Sequence, residues 1–223
     1  YILDVENPEI IFTQGYSATN VFYKNISYFT ICSFSCSEEL ISLYNSFDDQ
    51  VIKDLRLNAF FEDNGDEQYR VSKVGEKVYD CFAIRSVELY LNKAEAEAML
   101  DKAEAIQTIK TLLHNRFEGG IPDVDGLSGK DLVSFIRDER RRELCFEAHR
   151  WFDLRRYAVS PKYPEKKSIR HTAYDIKGKL EGDYVLKPYG EDPAWVLPIP
   201  GYEIVYNQGN LVDNPQRVDR ELE

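Results

Sequence analysis

A chain of 223 residues is long enough to bury a sizeable core within one domain. Its 39 Asp and Glu outnumber 28 Lys and Arg for a net charge of -11, which argues against nucleic acid, whose phosphates need clustered cations. No apolar run approaches the length a bilayer requires, and nothing at Tyr1 has the form of a signal peptide, so a targeting segment, if one exists, lies upstream of this stretch.

In chain order, Asn7 to Phe12 is a Pro-led apolar run too short for a helix, and reads as a buried strand or extended segment. Thr13 to Cys36 has neither helical nor strand periodicity and mixes rings with Ser, Thr and Asn. It reads as a long irregular excursion, and long loops tend to carry function because a core gains little from ordering them. Ser37 caps a helix that ends near Ser46, with Glu38 and Glu39 in its first turn and Leu40, Leu43 and Tyr44 on one face. After Asp54-Leu55-Arg56, the run Leu57 to Phe61 reads as a short strand. Glu62 to Glu67 is a solvated turn that lacks the spacing of a calcium-binding EF-hand. Tyr69 to Phe82 is extended and irregular.

Ile84 to Leu100 has the clearest helical pattern, with Ile84, Val87, Leu91, Ala94 and Ala98 on one face. Asp101 is expected to cap the next helix, Lys102 to Asn115, and small alanines let the two pack as a pair. Gly119 to Gly129 is a loop whose Asp123 and Asp125 hint at calcium, but Ser134 stands where the bidentate Glu belongs. A further helix begins near Lys130 and leads into Ile136 to Tyr157, where Ile136, Leu144, Ala148 and Phe152 draw an apolar stripe with Arg140 on it.

That stretch is also dense in charge. Glu139, Glu143 and Glu147 stack at i, i+4 and i+8 and repel, so cations must sit against them. Arg142 and Arg150 follow Glu139 and Glu147 by three residues, and Asp153 has Arg150 and Arg156 three residues to either side. The pattern predicts a half-buried ion network that includes Arg140, with Arg85, Glu88 and Glu95 as ion pairs of the earlier helix. A metal-binding or catalytic reading fares worse, because Glu147 and His149 are two apart and fall on different helix faces. No metal or cofactor is expected.

Beyond Tyr157 the chain turns basic, with Lys162, Lys166 and Lys167, then polar and irregular to Tyr189. Trp195-Val-Leu-Pro-Ile-Pro200 forms an extended strap that should bury Trp195 and Ile199, and disorder is expected from Arg217. Cys32, Cys36, Cys81 and Cys145 lack paired C-x-x-C spacing and read as small buried hydrophobes, with a Cys32–Cys36 disulfide open in an oxidising compartment. Fifteen Tyr and twelve Phe against one Met suit either a polar-surfaced ligand or packing between helices.

Three segments together resemble the SusD/RagB family: Arg85 to Ala96, close to R-L-A-E-x-Y-L-x-R-A-E-A; Glu139 to Arg156, close to E-R-R-x-E-L-x-F-E-x-H-R-W-F-D-L-R-R; and Trp195 to Asn214, opening W-x-L-P-I-P. Asp54-Leu55-Arg56 resembles the family's D-x-R. Ala148 stands where that pattern has glycine, which leaves open whether the chain turns after Glu147 or runs straight through. The resemblance implies a mainly α fold of tetratricopeptide-like helix pairs with long irregular loops and a few short strands. It divides the chain into a loop-rich part (1–83), a helical core (84–157) and a C-terminal strap (158–223), with an N-terminal part of the protein upstream.

The resemblance further implies a lipid-anchored outer-membrane protein on the cell surface. Such a protein captures a glycan or other small nutrient for a SusC-like TonB-dependent transporter, and touches the membrane only through its upstream anchor. The excursion supplies what a glycan binder needs, flat rings for sugar C–H groups beside hydroxyl and amide partners, and its Tyr16, Tyr23, Tyr28 and Phe29 are the candidate contacts. A tetratricopeptide scaffold that binds protein, and a glycoside hydrolase with two carboxylates across a cleft, remain alternatives.

Overall fold

The computed structural model of the chain describes residues 7–13, 36–47, 51–63, 69–73, 83–175, 177–215 and 221–222. These fall into two units, residues 1–150 and 151–223.

In the first unit, three short antiparallel pairs pin the segments that surround the helices. β1 (Ile10–Thr13) pairs with β5 (Ala83–Arg85), β2 (Lys53–Asp54) with β6 (Phe117–Glu118), and β3 (Phe61–Asp63) with β4 (Tyr69–Val71). Ser37 caps α1 (Glu38–Asn45) as its sequence predicts, with its hydroxyl accepting from the Leu40 N–H at 3.3 Å. The buried face of α1, Leu40, Ile41 and Tyr44, packs with Phe60, Phe61, Val71 and Cys145 in one apolar cluster. Leu57 to Phe61 differs from its expected strand: residues Arg56–Phe60 form one short helix, α2, and the strand starts only at Phe61. A five-residue helix is too short for periodicity to separate it from a strand.

α3 (Ser86–Met99) buries Val87, Leu91, Ala94 and Ala98, while Ile84 stays behind on β5 and is exposed. Asp101 closes this helix instead of opening the next. It takes a left-handed φ of 55°, the Lys102 N–H returns 2.9 Å to the Glu97 carbonyl, and α4 (Glu104–Leu113) starts after Ala103. That is the 6→1 bond of a Schellman end, and Asp is among the few side chains that tolerate the left-handed region. α3 packs on α4 and also on α5 (Gly129–Glu143). α5 then stops. Phe146 and Ala148 both turn left-handed, with φ of 62° and 63°, and a new helix, α6 (Arg150–Ala158), follows. The break decides how far the apolar stripe runs: Ile136, Arg140 and Leu144 are buried, but Phe152 is 64% exposed.

α6 leads the second unit. Residues expected to be irregular instead form a hairpin, β7 (Ile169–Tyr174) with β8 (Leu180–Leu186), most of it half-buried or exposed on both faces. Without a buried face there was no apolar alternation to read. Trp195 is buried as the strap predicts, with its ring 4.4 Å from Trp151 and 5.9 Å from Tyr189, and its indole N–H donates to the Lys187 carbonyl at 2.7 Å. Ile199 is half-buried, and a short helix, α7 (Gly201–Tyr206), follows the prolines. Among the described residues, no helix is long and apolar enough to cross a membrane.

Candidate functional site

The charged residues of α5 form the most elaborate side-chain arrangement in the first unit. Glu139 and Glu143 lie one turn apart on a helix held in place by buried Leu132, Val133 and Ile136, so both carboxylates reach the same interior region. Glu147 joins them from the turn after the helix. α2 supplies the first answering cation. Arg56 is aimed by Asp54, which accepts from its Nε at 2.9 Å and Nη2 at 2.8 Å, and it grips Glu139 at two points, Nη1 to Oε1 at 2.5 Å and Nη2 to Oε2 at 3.1 Å. The same Nη1 reaches Glu143 at 3.1 Å, and Arg142 holds Glu139 from within α5 at 3.0 and 2.8 Å.

Around Glu143 two more guanidiniums converge. Arg116 donates to it at 2.9 and 3.2 Å, and Arg85 approaches to 3.4 Å. Arg85 makes its stronger contacts with Glu147, at 2.8 and 2.7 Å, and with Glu9 at 2.7 Å. Lys73 is fully buried; its ammonium meets Glu147 at 2.5 Å and the carbonyls of Glu143 and Cys145 at 2.6 and 3.2 Å, and lies 4.3 Å from the centre of the Phe60 ring. Lysine is almost never buried without such partners.

Charge in the cluster balances. Arg56, Lys73, Arg85, Arg116 and Arg142 face Glu9, Asp54, Glu139, Glu143 and Glu147, cation for anion. Burial alone would raise the Glu143 carboxyl, but the Arg56 and Arg116 guanidiniums hold it far below the usual carboxylate range. Burial is likewise overcome at Glu139 by Arg56 and Arg142, and at Glu147 by Lys73 and Arg85. Burial would also lower the Arg56 and Arg85 guanidiniums, yet their carboxylate partners raise both. These carboxylates therefore stay ionised, with their oxygens committed to protein cations. Proton transfer at neutral pH asks for a raised carboxyl, and metal binding asks for uncommitted oxygens. Among the described residues no trio of His, Cys, Asp or Glu is arranged to hold a metal.

The other charged residues singled out in the sequence fall outside this cluster. Arg140 donates to Asn92 at 2.9 Å and reaches Glu88 at 3.5 Å, with His149 Nδ1 at 3.4 Å from the same guanidinium. Glu95 pairs with Arg137 at 3.2 Å, and Asp153 with Arg156 at 2.9 Å. Arg150 opens α6 and is half-buried. Tyr16, Tyr23, Tyr28 and Phe29 lie outside the described residues. Sequence reasoning missed Lys73, Arg116 and Glu9, which sit in stretches with no charge pattern; Asp54 and Arg56 carried a signal in their D-x-R spacing. Cys32, half of the disulfide considered with Cys36, lies outside the described residues; Cys36 is a free thiol, pushed up to about 12 by burial and by nearby Cys145.

The model of the SusD family matches residues 56–216. Among characterised proteins, the chain is 26% identical to SusD-like protein P2 of Formosa agariphila over 59% of its own length and 25% of that protein. It is 40% identical to SusD-like protein P38 of the same organism over 31% of its length and 15% of that protein. Among solved structures, it superposes on a SusD-like carbohydrate binding protein from Bacteroides vulgatus with a TM-score of 0.60 at 21% identity, covering 93% of this chain and 49% of that one. A SusD-like protein from Bacteroides fragilis gives a TM-score of 0.52 at 20% identity, covering 96% and 55%. The chain thus spans about half the length of those structures and a quarter or less of the two characterised proteins. With the family model covering most of the sequence, including Arg56, Arg85, Glu139, Glu143 and Glu147, the chain belongs to the SusD family.

Proposed function

We propose that this chain serves a cell-surface protein that binds a glycan or another small nutrient and delivers it to a SusC-like TonB-dependent transporter. The observation that carries the reading is membership of the SusD family, one of whose solved relatives is described as carbohydrate binding. The cluster around Glu143 supports the negative half: Glu139, Glu143 and Glu147, held ionised by five cations, act as internal fastening between α2, β5 and α5. A glycoside hydrolase needs one carboxyl raised to donate a proton, and Glu139, Glu143 and Glu147, all lowered, do not fill that role. The proposed location is the outer-membrane surface, with a lipid anchor upstream as the only membrane contact.

The proposed ligand contacts are Tyr16, Tyr23, Tyr28 and Phe29, whose rings stack on sugar C–H groups while neighbouring Ser, Thr and Asn pair the hydroxyls. Affinity electrophoresis through gels cast with a panel of polysaccharides tests this. Replacing the four rings with Ala should abolish retardation and leave thermal unfolding nearly unchanged. A shift in unfolding instead would assign the rings to the core, and release of reducing sugar by the native chain would replace binding with hydrolysis.

A further inference from the structure

The outer margin of the ion cluster opens into a cleft of about 170 Å³ between Glu9 just before β1, the first turns of α3, and the last turn of α4 with the residues just after it. Val87 and Leu112, both buried, give it an apolar floor. Polar groups with bonding capacity to spare surround that floor. Arg116 commits Nε and Nη2 to Glu143 and Glu9, while its Nη1 has no partner among the described residues. The Tyr90 and Ser86 hydroxyls and the Asn115 amide, all lining the cleft, have none either. Glu9 accepts from Arg85 and Arg116 and keeps further lone pairs on a side chain that is one-third exposed.

Three features define what fits. Positive and negative charge cancel at the rim, Arg116 against Glu9, so no ion is called for. Free donors and free acceptors are mixed, which suits hydroxyl groups because each both donates and accepts. The volume is below the ~300–1,000 Å³ of pockets for drug-sized ligands and leaves room for a single ring, with the half-exposed Tyr90 ring beside it for C–H contact. We infer that this cleft is a binding site for one neutral polyhydroxylated ring, a pyranose or cyclic polyol, held by Arg116, Asn115 and Glu9 beside Tyr90. Its ligand class rests on the glycan-binding reading; its position is separate from the Thr13–Cys36 excursion.

Saturation-transfer NMR on the 223-residue chain with methyl glycosides of neutral hexoses, and with the matching uronic acid, tests the site. The inference expects saturation transfer from the protein to at least one neutral glycoside, and weaker or no transfer to the uronate. Asn115→Ala with Tyr90→Ala, both exposed positions outside the ion cluster, should weaken binding by about tenfold, with the unfolding midpoint unchanged. Absence of transfer to every neutral glycoside, unchanged affinity in the double variant, or preference for the uronate would each overturn it. Polysaccharide retardation separates the two readings. Loss of it on replacing the four excursion rings, with glycoside binding intact, leaves both standing; glycoside binding lost only in the cleft variant, with no retardation by any polysaccharide, sinks the capture reading alone.

Discussion

Arg56 and Glu139, 83 positions apart in sequence, meet in a two-point ion pair whose side chains are 3% and 0% exposed. The parallel N–H···O contacts use the planar fork of the guanidinium, and Asp54 fixes that fork from the other side. Removing the cation while leaving its carboxylates buried is the costly direction. Arg56→Ala should lower the unfolding free energy by ~3–5 kcal/mol in urea titration, because Glu139 and Glu143 would remain ionised with one partner fewer. Arg56→Lys should recover only part of the loss, since a point charge cannot make both contacts. Equal stability of Arg56→Ala and the native chain would show the cluster to be dispensable.

The three lowered glutamates give stability a defined pH dependence. Their folded pKa values lie below the unfolded ones, so the unfolded chain binds more protons as acid is added, and stability present above about pH 4.3 is lost as pH falls toward the folded values. Each such group contributes a slope of roughly 1.4 kcal/mol per pH unit in that window, or roughly 4 for Glu139, Glu143 and Glu147 together. Urea midpoints should therefore be flat from pH 7 to 5 and fall steeply below 4.5. Glu143→Gln should flatten the acid limb while lowering the plateau, and an unaltered limb in that variant would assign the acid sensitivity to other carboxylates.

Much of this was legible locally and little of it at long range. The Ser37 cap and the α3 face follow from spacing alone, and Arg142 does sit on Glu139 at the i, i+3 separation the sequence suggests. Glu147 is the counterexample. Helical spacing nominates Arg150, but the chain turns after Glu147, and the cations that meet it are Arg85 and the fully buried Lys73, brought in by β5 and by the segment after β4. Local periodicity reports which face of an element is buried, not which distant charge will be packed against it. The β7–β8 hairpin failed for a different reason: with neither face turned to a core, its strands have no alternation to display.

Ala148 holds a left-handed backbone at φ 63°. An L side chain in that region costs ~1–2 kcal/mol, which glycine avoids, though glycine also loosens the unfolded chain. Ala148→Gly should therefore raise the unfolding free energy by up to ~1 kcal/mol without moving α5 or α6. A lower thermal midpoint would mean the Ala148 methyl group makes packing contacts worth more than the backbone strain.

Gly119 has the opposite sensitivity. It follows β6 at φ 81°, and a Cβ there would fall on the carbonyl oxygen of Val51, well inside contact distance. Val51 leads into β2, and the β2–β6 pairing, extended by the Leu55 N–H to the Arg116 carbonyl at 3.0 Å, sets the positions of both Asp54 and Arg116. Gly119→Ala must either widen this pair or strain it, at a cost of ~2 kcal/mol or more from the left-handed backbone and overpacking combined. Because two arms of the ion cluster hang from that strand pair, the damage should spread. The variant should unfold at lower urea, and added to Arg56→Ala it should cost less than the sum of the two single losses, since loosening β2 already undoes part of what Arg56 contributes. Strict additivity in that double-mutant cycle would show that β2–β6 and the Glu139–Glu143 cluster are energetically independent.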